Sequence, residues 1–540
     1  MGRFQSIVAR ANKKLTLQLA AALLAGATLL SSVLGLFRDR LLNAQYLESV
    51  PQAIDAYTVA FTVPDFMYFI LVSGALSVTF IPVFNQRLAS GNKKSAWELS
   101  TSVLNMMAIV TLIASILIMI FAEQLVNIIS PGFDEAGRSL AVSLMRVVAI
   151  NPFLFAVATV ISSMQQAVGR FSFFALAPTI YNVGIIIGIV GFTNGINIFG
   201  WQVFDGGIMG VALGVVLGSI LQLIVSAIGL IGMGFDYRFK IYWRNKGFRK
   251  VLALLPARSL DQGIDYVNGF VETNLASRMA EGTVRAYNQA TTLHMVPINL
   301  IGVAISTAAF PKMSERLDQG RPDLFKKEFQ TVLRVIIWLA LPVATIAFFG
   351  RGYLANFVMN GGNHLISTLL GALCIAILFR SIFHIASRSF YAQQDTKTPL
   401  YISVVSVTLN IVLAILLSTT FHLGAYGIAL AASIVAVIEV SILFSVMARR
   451  IKGLFDAVFI HAILRMLSAT GFMAVATYLM VLMMPLRDGP QSFFTTFPQF
   501  ALIAAVSMSI YTAICLAMKL EEPRPIVRRL GKILFGRVQG

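Results

Sequence analysis

Apolar runs of about 20 residues, long enough to cross a bilayer as helices, recur along the whole chain. About fourteen can be marked, at roughly 15–37, 53–84, 97–128, 139–168, 172–195, 207–234, 248–280, 284–311, 329–358, 365–392, 398–420, 424–448, 458–485 and 498–518. Barrel strands would instead alternate weakly over segments of about ten residues. The pattern therefore predicts an all-α polytopic membrane protein. Several runs exceed a minimal span, as tilted helices or helices that extend into water do.

The seventh run breaks the apolar pattern in an ordered way. Arg258, Asp261, Asp265, Asn268 and Glu272 recur at helical spacing. At about 100° per residue they share an arc of about 80°. Ionisable groups inside a membrane usually face a bundle interior or a wet cavity and mark a path. The stripe reads as the wall of such a cavity. The plainer alternative is a self-neutralising interface that only holds helices together.

Charge then orients the runs. Hydrophobic residues make up 57% of the 540, charged residues only 12%, and the formal net charge is +18. On a soluble chain that charge would suggest nucleic acid. Here the cations gather in short connections and tails. Arg87, Lys93 and Lys94 follow the second run, and Arg238, Lys240, Arg244, Lys246, Arg249 and Lys250 follow the sixth. Arg449, Arg450 and Lys452 follow the twelfth, and Lys519, Arg524, Arg528, Arg529, Lys532 and Arg537 lie in the tail. With the N-terminus inside, all of these fall on the cytoplasmic side, which is how membrane topology is encoded. Both termini are expected in the cytoplasm, and no nucleic-acid partner is expected. The leading run, behind Arg3, Arg10, Lys13 and Lys14, is too long for a signal-peptide core and reads as the first membrane helix. Arg38-Asp39-Arg40 is the exception on the outside, as a paired loop feature or a recessed functional group.

Catalytic and metal chemistry finds little support. Cys374 and Cys515 lie within apolar runs and indicate no disulfide framework. His294, His364, His384, His422 and His461 form no HExxH or other metal-ligand spacing. Nucleotide-binding loops, Ser/His/Asp sets and paired-carboxylate motifs are not evident. The chain reads as a transporter rather than an enzyme, with no metal and no bound cofactor.

The two halves of the sequence echo each other. Ala75-Leu76-Ser77, Pro82 and Arg87-Leu88 return as Ala304-Ile305-Ser306, Pro311 and Arg316-Leu317. Gln165-Gln166 with Asn182 returns as Gln393-Gln394 with Asn410. Gly210-Val211-Ala212-Leu213 returns as Gly427-Ile428-Ala429-Leu430, and Asp55-Ala56-Tyr57 is matched by Arg285-Ala286-Tyr287. The order and near-constant offset predict two six-helix lobes as parallel repeats, 1–235 and 236–450, an arrangement common in alternating-access transporters. Residues 451–520 add two helices, and 521–540 form a basic cytoplasmic tail.

Other polar residues sit inside apolar runs. Arg380, His384 and Arg388 recur every four residues on the tenth. They suit an anionic head group or the acidic seventh helix, although Arg388 also suits a snorkelling helix end. Asp55 and Asp65 lie on either side of Pro64 in the second run, where proline frees a carbonyl and permits a bend. Asp65 could be a proton or cation site, or a partner of Arg38 or Arg285. Glu439 and Arg465 read as packing pairs, and Arg146 with Asn151-Pro152 as a kink.

Several motifs resemble one family. They are Val33-Leu34-Gly35 with Arg38-Asp39, Asp55-Ala56-Tyr57, the Pro64 segment, Gly74-Ala75 running to Pro82, and Pro131-Gly132-Phe133. Further on come Gly169-Arg170-Phe171, Ala177-Pro178-Thr179 with Asn182, and Tyr287 with Ala290 and Pro297. The most specific is Tyr391-Ala392-Gln393-Gln394-Asp395-Thr396-Lys397-Thr398-Pro399. Together they resemble the MurJ (MviN) lipid II flippases of the MOP transporter superfamily. The resemblance implies movement of the undecaprenyl-pyrophosphate-linked peptidoglycan precursor across the cytoplasmic (inner) membrane by alternating access. It implies a head-group cleft between lobes, a lipid-tail groove by the last two helices, and no covalent chemistry. The head-group candidates are then Arg38, Asp39, Asp55, Arg258 and Arg285. Asp261, Asp265, Asn268, Glu272 and Asn410 become coupling-ion or gating candidates, driven by a coupling cation (Na⁺ or H⁺) or by membrane potential. The implied partners are the lipid-linked substrate, membrane lipids and cell-wall synthesis proteins.

The sequence departs from the family in one respect. The family places arginines in the cleft on helices 1, 2 and 8. Arg38 is kept, but Ser32, Tyr68 and Thr292 stand at the other positions. Arg258, Arg285 or His294 could substitute, since an arginine can hold phosphate bidentately from another backbone position. The departure leaves two alternatives open. One is an exporter of another polyisoprenoid-linked oligosaccharide or of a small cationic compound. The other is a non-transporting scaffold for cell-wall assembly.

Overall fold

The computed structural model describes residues 17–198, 201–486, 489, 491–525 and 528, with side chains at 17–18, 20–22, 25, 73–79, 196–198, 201–203 and 254–265 outside the description. All fourteen apolar runs are helical. The first half holds α1 (Leu17–Tyr46), α2 (Pro51–Ala60, Thr62–Tyr68, a π-helical turn Phe69–Ser73 and Gly74–Ala89), α3 (Lys93–Ile129), α4 (Glu135–Ala167), α5 (Ser172–Phe192), α6 (Ile208–Ile228) and α7 (Lys246–Ser277). The second holds α8 (Thr283–Asp318), α9 (Pro322–Phe349), α10 (His364–Ala392), α11 (Lys397–Thr420), α12 (Gly424–Arg450), α13 (Ala457–Met483) and α14 (Phe493–Ala517). Twelve of these are long and apolar enough to cross a membrane; the other two are α1 and the polar-striped α7. The chain is a multi-pass membrane protein.

Polar residues set the helix starts. Asn92, Asp134, Asn245, Asn363, Asp456 and Ser492 each accept a hydrogen bond from a backbone N–H in the turn that follows, satisfying donors that have no partner within the helix. The kink expected at Asn151-Pro152 is a break at Ala149 and Ile150 within α4. Two boundaries differ from expectation. α1 continues to Tyr46, so Arg38-Asp39-Arg40 lies inside a helix rather than in an outer loop. The connection between α5 and α6 contains an antiparallel hairpin, β1 (Ile196–Ile198) with β2 (Trp201–Phe204). Its ends turn on Gly195 and Gly206, both in the left-handed region, and a Cβ at Gly206 would lie 2.3 Å from the Thr193 carbonyl oxygen.

The duplication reappears in the backbone. π-helical turns lie at Phe69–Ser73 and Ile298–Val303, and again at Gly188–Phe192 and Leu416–Thr420. They start 229 and 228 residues apart (298 − 69 and 416 − 188), the same offsets as the sequence echoes. A π turn inserts a residue and re-aims the helix beyond it, so both halves carry the same two distortions in the second and fifth helices of the repeat. The echoed glycines follow suit. A Cβ at Gly210 would meet the Phe192 carbonyl oxygen at 2.5 Å, and one at Gly427 the Leu417 carbonyl carbon at 2.7 Å. In each half the sixth helix starts pressed against the π-helical end of the fifth.

Small residues make that packing close. A Cβ at Gly184 would lie 2.2 Å from the Gly218 Cα, and one at Gly214 would lie 2.4 Å from the Gly188 Cα. Backbone-to-backbone approach of this kind drives helix association in lipid, where burial of apolar surface gives no advantage. Overpacking typically costs about 1–3 kcal/mol, and here both backbones would have to part. Gly184→Val is therefore expected to reduce the monodisperse fraction on size-exclusion chromatography in detergent. Gly191→Ala, at a position with open space around it, should leave it unchanged.

The chain divides into two compact units, Met1–Arg285 and Ala286–Gly540. The first has a core of Phe80 and Phe84 from α2, Leu99 and Val103 from α3, Val160 and Met164 from α4, and Phe248 and Val251 from α7. Packing thus joins α7 to α1–α6, whereas the repeat arithmetic counts it with α8–α12. In the second unit Trp338 of α9 stacks on Tyr511 of α14 at 6.0 Å, within a core that also takes Phe390 of α10, Leu443 of α12 and Met466 of α13. The outer faces of α13 and α14 are apolar and exposed, at Phe472, Val475, Leu482 and Phe494. Buried Glu522 pairs with Arg334 at the start of the basic tail; residues 529–540 of that tail lie outside the described residues.

Candidate functional site

Two arginines share one carboxylate inside the first unit. Arg38 donates to Asp39 Oδ1 from Nε at 3.2 Å and from Nη2 at 3.0 Å. Arg285, in the first turn of α8, donates from Nη2 to the same oxygen at 3.2 Å. Two amides complete the frame. Arg285 Nε donates to Asn43 Oδ1 at 2.8 Å, and Arg38 Nη1 donates to Asn182 Oδ1 at 3.0 Å. Asn182 is itself oriented, its Nδ2 donating to the carbonyl oxygens of Ser31 and Pro178, each at 3.2 Å. Asn43, Asn182, Asp39 and Arg285 are all buried. The Arg38 side chain is 23% exposed and that of Arg285 only 6%, so Arg38 is the member a ligand can reach. Its three hydrogen bonds leave one N–H on each terminal nitrogen for a further acceptor.

Asp55 belongs to the same neighbourhood and does a different job. Its Oδ2 accepts from the Gly282 N–H at 2.7 Å and its Oδ1 from the Arg285 N–H at 2.8 Å. The carboxylate of α2 therefore caps the start of α8, where the helix dipole favours negative charge. Asp55 also acts electrostatically on Arg285, and Asp65 of α2 on Arg38, so the two arginines stand among three carboxylates.

The α7 stripe is described only at one end. The side chains of Arg258, Asp261 and Asp265 lie outside the described residues. Asn268 donates to Glu272 at 2.8 Å along the helix. The end of α7 is anchored in its own unit, where Asn274 donates to the Ile128 carbonyl at 2.7 Å. A Cβ at Gly132, in the Pro131-Gly132-Phe133 motif, would lie 2.3 Å from the Ser277 carbonyl oxygen.

In the second unit Asn410 is buried on α11. Arg380 of α10 donates to Glu439 of α12 at 2.9 Å, and Ser403 donates to the other Glu439 oxygen at 3.3 Å. Arg380 thus has a carboxylate partner within its own unit. The most specific sequence motif is a connector. Asp395 accepts from the Lys397 and Thr398 N–H groups at 3.1 and 3.0 Å and pairs with Arg450 at 2.7 Å, while Arg450 sits over the Phe390 ring at 5.0 Å. Partial burial alone would raise the Asp395 carboxyl, but Thr398 and Arg450 outweigh it and hold it down at about 2. A depressed folded value stabilises the fold above the unfolded value, about 3.9, and that contribution is lost as pH falls through the folded one. Unfolding in detergent should show stability declining from about pH 4 toward pH 2, and Asp395→Asn should flatten that part of the profile.

The sequence matches the family model for lipid II flippase MurJ over residues 49–497. The chain belongs to the lipid II flippase MurJ family. A probable lipid II flippase MurJ of Thermotoga maritima is 27% identical over 412 residues, covering 75% of this chain and 80% of that protein. Lipid II flippase MurJ of Burkholderia cenocepacia is 27% identical over 395 residues, covering 70% and 74%. Among solved structures, lipid II flippase MurJ in an inward closed conformation superposes with a TM-score of 0.72 at 25% identity, covering 92% of this chain and all of that one. An inward-facing MATE transporter of the MOP superfamily superposes with a TM-score of 0.66 at 15% identity, covering 79% and 96%, which shows a shared fold.

The structure also describes Ser32, Tyr68 and Thr292, where the resemblance leads to an expectation of arginine. The Ser32 and Thr292 hydroxyls donate to carbonyls of their own helices, at Thr28 and Asn288. The Tyr68 hydroxyl meets Thr159 at 3.0 Å. None supplies a cation. Asn43 lies four residues beyond Asp39 on one face of α1, past the end of the apolar run. The helical periodicity reveals it once α1 is carried past its apolar run.

Proposed function

We propose that the chain carries lipid II, the undecaprenyl-pyrophosphate-linked peptidoglycan precursor, from the cytoplasmic to the outer leaflet of the inner membrane by alternating access. The observation that carries this reading is family membership along residues 49–497. The task is to lower the barrier that hydrocarbon presents to a charged, sugar-bearing head group. Arg38 and Arg285 are suited to the pyrophosphate, because guanidinium groups bind phosphate oxygens in a fixed fork. Asp39 holds both arginines, Asn43 and Asn182 position them, and Asp55 fixes the start of α8. Arg38 and Arg285 supply the cations of the cluster among Asp39, Asp55 and Asp65, and Ser32, Tyr68 and Thr292 add none.

In this reading the repeats 1–235 and 236–450 are the alternating lobes, with α7 held against α1–α6 through Phe248 and Val251. Asp261, Asp265, Asn268 and Glu272 on α7, with Asn410 on α11, respond to a coupling cation (Na⁺ or H⁺) or to membrane potential. Arg258 is the member of the stripe suited to phosphate. The apolar faces of α13 and α14 receive the lipid tail. Both termini are cytoplasmic, and cell-wall synthesis proteins work beside the transporter. The test is complementation of a strain depleted of its own flippase. Wild type is expected to restore growth. Arg38→Ala, present in the membrane at equal amount, is expected not to. Failure by wild type contradicts the reading, and full rescue by Arg38→Ala removes that residue from it.

A further inference from the structure

A cavity lined by basic residues lies at one end of the first unit. It has a volume of about 770 Å³ and opens between the α2–α3 connection and the segment leading into α7. Arg87, Lys94, Lys240, Arg244 and Lys246 line it against one acid, Glu98. Among the described residues the five cations are absent from every ion pair, and Lys240 lies over the Tyr242 ring at 5.4 Å. Two helix N-termini also open here. Asn92 caps α3 and Asn245 caps α7, and the first turns of both helices add positive potential.

The wall of this cavity is built rather than loose. Asn105 of α3 donates to the Arg238 and Lys240 carbonyls at 2.9 and 3.1 Å and accepts from the Tyr237 hydroxyl at 2.9 Å. The Tyr242 N–H donates to Ser102 at 2.8 Å, and Asn245 donates to the Ser95 carbonyl at 3.0 Å. Although pinned to α3 in this way, the segment leaves Phe239 81% and Trp243 57% exposed. Large aromatics beside cations at a helix end mark the boundary between head groups and acyl chains. Basic pockets at the cytoplasmic ends of membrane helices suit anionic lipid head groups.

We infer that this cavity holds the phosphate of an anionic phospholipid of the inner leaflet, with Phe239 and Trp243 against its acyl chains. Charge complementarity selects an anion, and the exposed aromatics select a lipid over a free ion. Occupancy would fix the segment between α6 and α7 to the membrane surface. The inference needs only the membrane embedding and the charge-set orientation, not the identity of the transported molecule.

The test uses the full chain in phosphatidylcholine nanodiscs doped with either brominated phosphatidylglycerol or brominated phosphatidylcholine. Quenching of Trp243, one of four tryptophans, is read as the difference between wild type and Trp243→Phe. Phosphatidylglycerol is expected to quench at lower mole fraction. The Lys94→Gln/Arg244→Gln/Lys246→Gln variant should weaken that preference about a hundredfold, and Glu98→Gln should strengthen it about fivefold. Equal quenching by the two lipids overturns the inference, as does a preference that survives in the triple variant. Full displacement by inorganic phosphate alone also overturns it, because the site would then bind a free ion.

Discussion

Arg285→Ala is expected to abolish rescue of a flippase-depleted strain, and Arg285→Lys to lose less stability than alanine yet rescue poorly. Arg285 ties Asp39 to Asn43 through two side-chain bonds from a guanidinium that is 6% exposed. Bonds to charged groups contribute about 1.5–3 kcal/mol each, and a buried acceptor left without its donor costs about 1–3 kcal/mol. Alanine should therefore lower stability by about 3 kcal/mol, visible as a reduced unfolding midpoint in detergent. Without Arg285, Asp39 is left to Arg38 alone and Arg38 loses the frame that aims it, so head-group binding should weaken by about tenfold or more. Lysine keeps the charge and can reach one acceptor, but it has no planar fork to bridge Asp39, Asn43 and a phosphate together. Stability above that of Arg285→Ala with rescue equally lost in Arg285→Lys assigns the residue to transport. Full rescue by lysine reduces its role to a point charge.

Asp55→Ala is expected to act chiefly on folding. Asp55 is 3% exposed and accepts from the backbone N–H groups of Gly282 and Arg285. Alanine removes the acceptor for both. Each unsatisfied buried donor costs about 1–3 kcal/mol, so a loss of about 4 kcal/mol follows, large against a marginal total. Asp55→Asn should fall between, since one amide oxygen can serve one N–H while its NH₂ confronts the other. The measurement is the folded fraction in membranes and the unfolding midpoint of the three proteins in detergent. An Asp55→Ala variant as stable as wild type would contradict the capping role and return Asp55 to the head-group candidates.

Much of the scaffold was legible because membrane helices announce themselves by length and apolarity, and all fourteen runs are helical. The duplication was legible from sparse echoes, and the paired π turns sit at the same offsets. What the apolar signal missed was polar helix. α1 runs on through Arg38, Asp39 and Asn43 because these side chains satisfy one another, and a hydropathy boundary at residue 37 ends the helix too soon. Asn182 was visible as a repeat marker, but its bond to Arg38 spans 144 residues and has no local signature. The hairpin Ile196–Phe204 rests on three or four residues per strand between left-handed glycines, too short for periodicity to register. Glu439 read as a packing charge and Arg380 as a partner for a head group or for α7; they pair with each other instead, because that depends on which faces of α10 and α12 meet.

We propose that this chain delivers lipid II to the outer leaflet through the Arg38–Asp39–Arg285 cluster. The most direct measurement is the fraction of cellular lipid II open to a membrane-impermeant reagent after the resident flippase is depleted. Cells expressing the wild-type chain should keep that fraction at the undepleted level, and cells expressing Arg38→Ala or Arg285→Ala at equal membrane abundance should lose it. An unchanged fraction in both variants, or no recovery with the wild-type chain, would contradict the account.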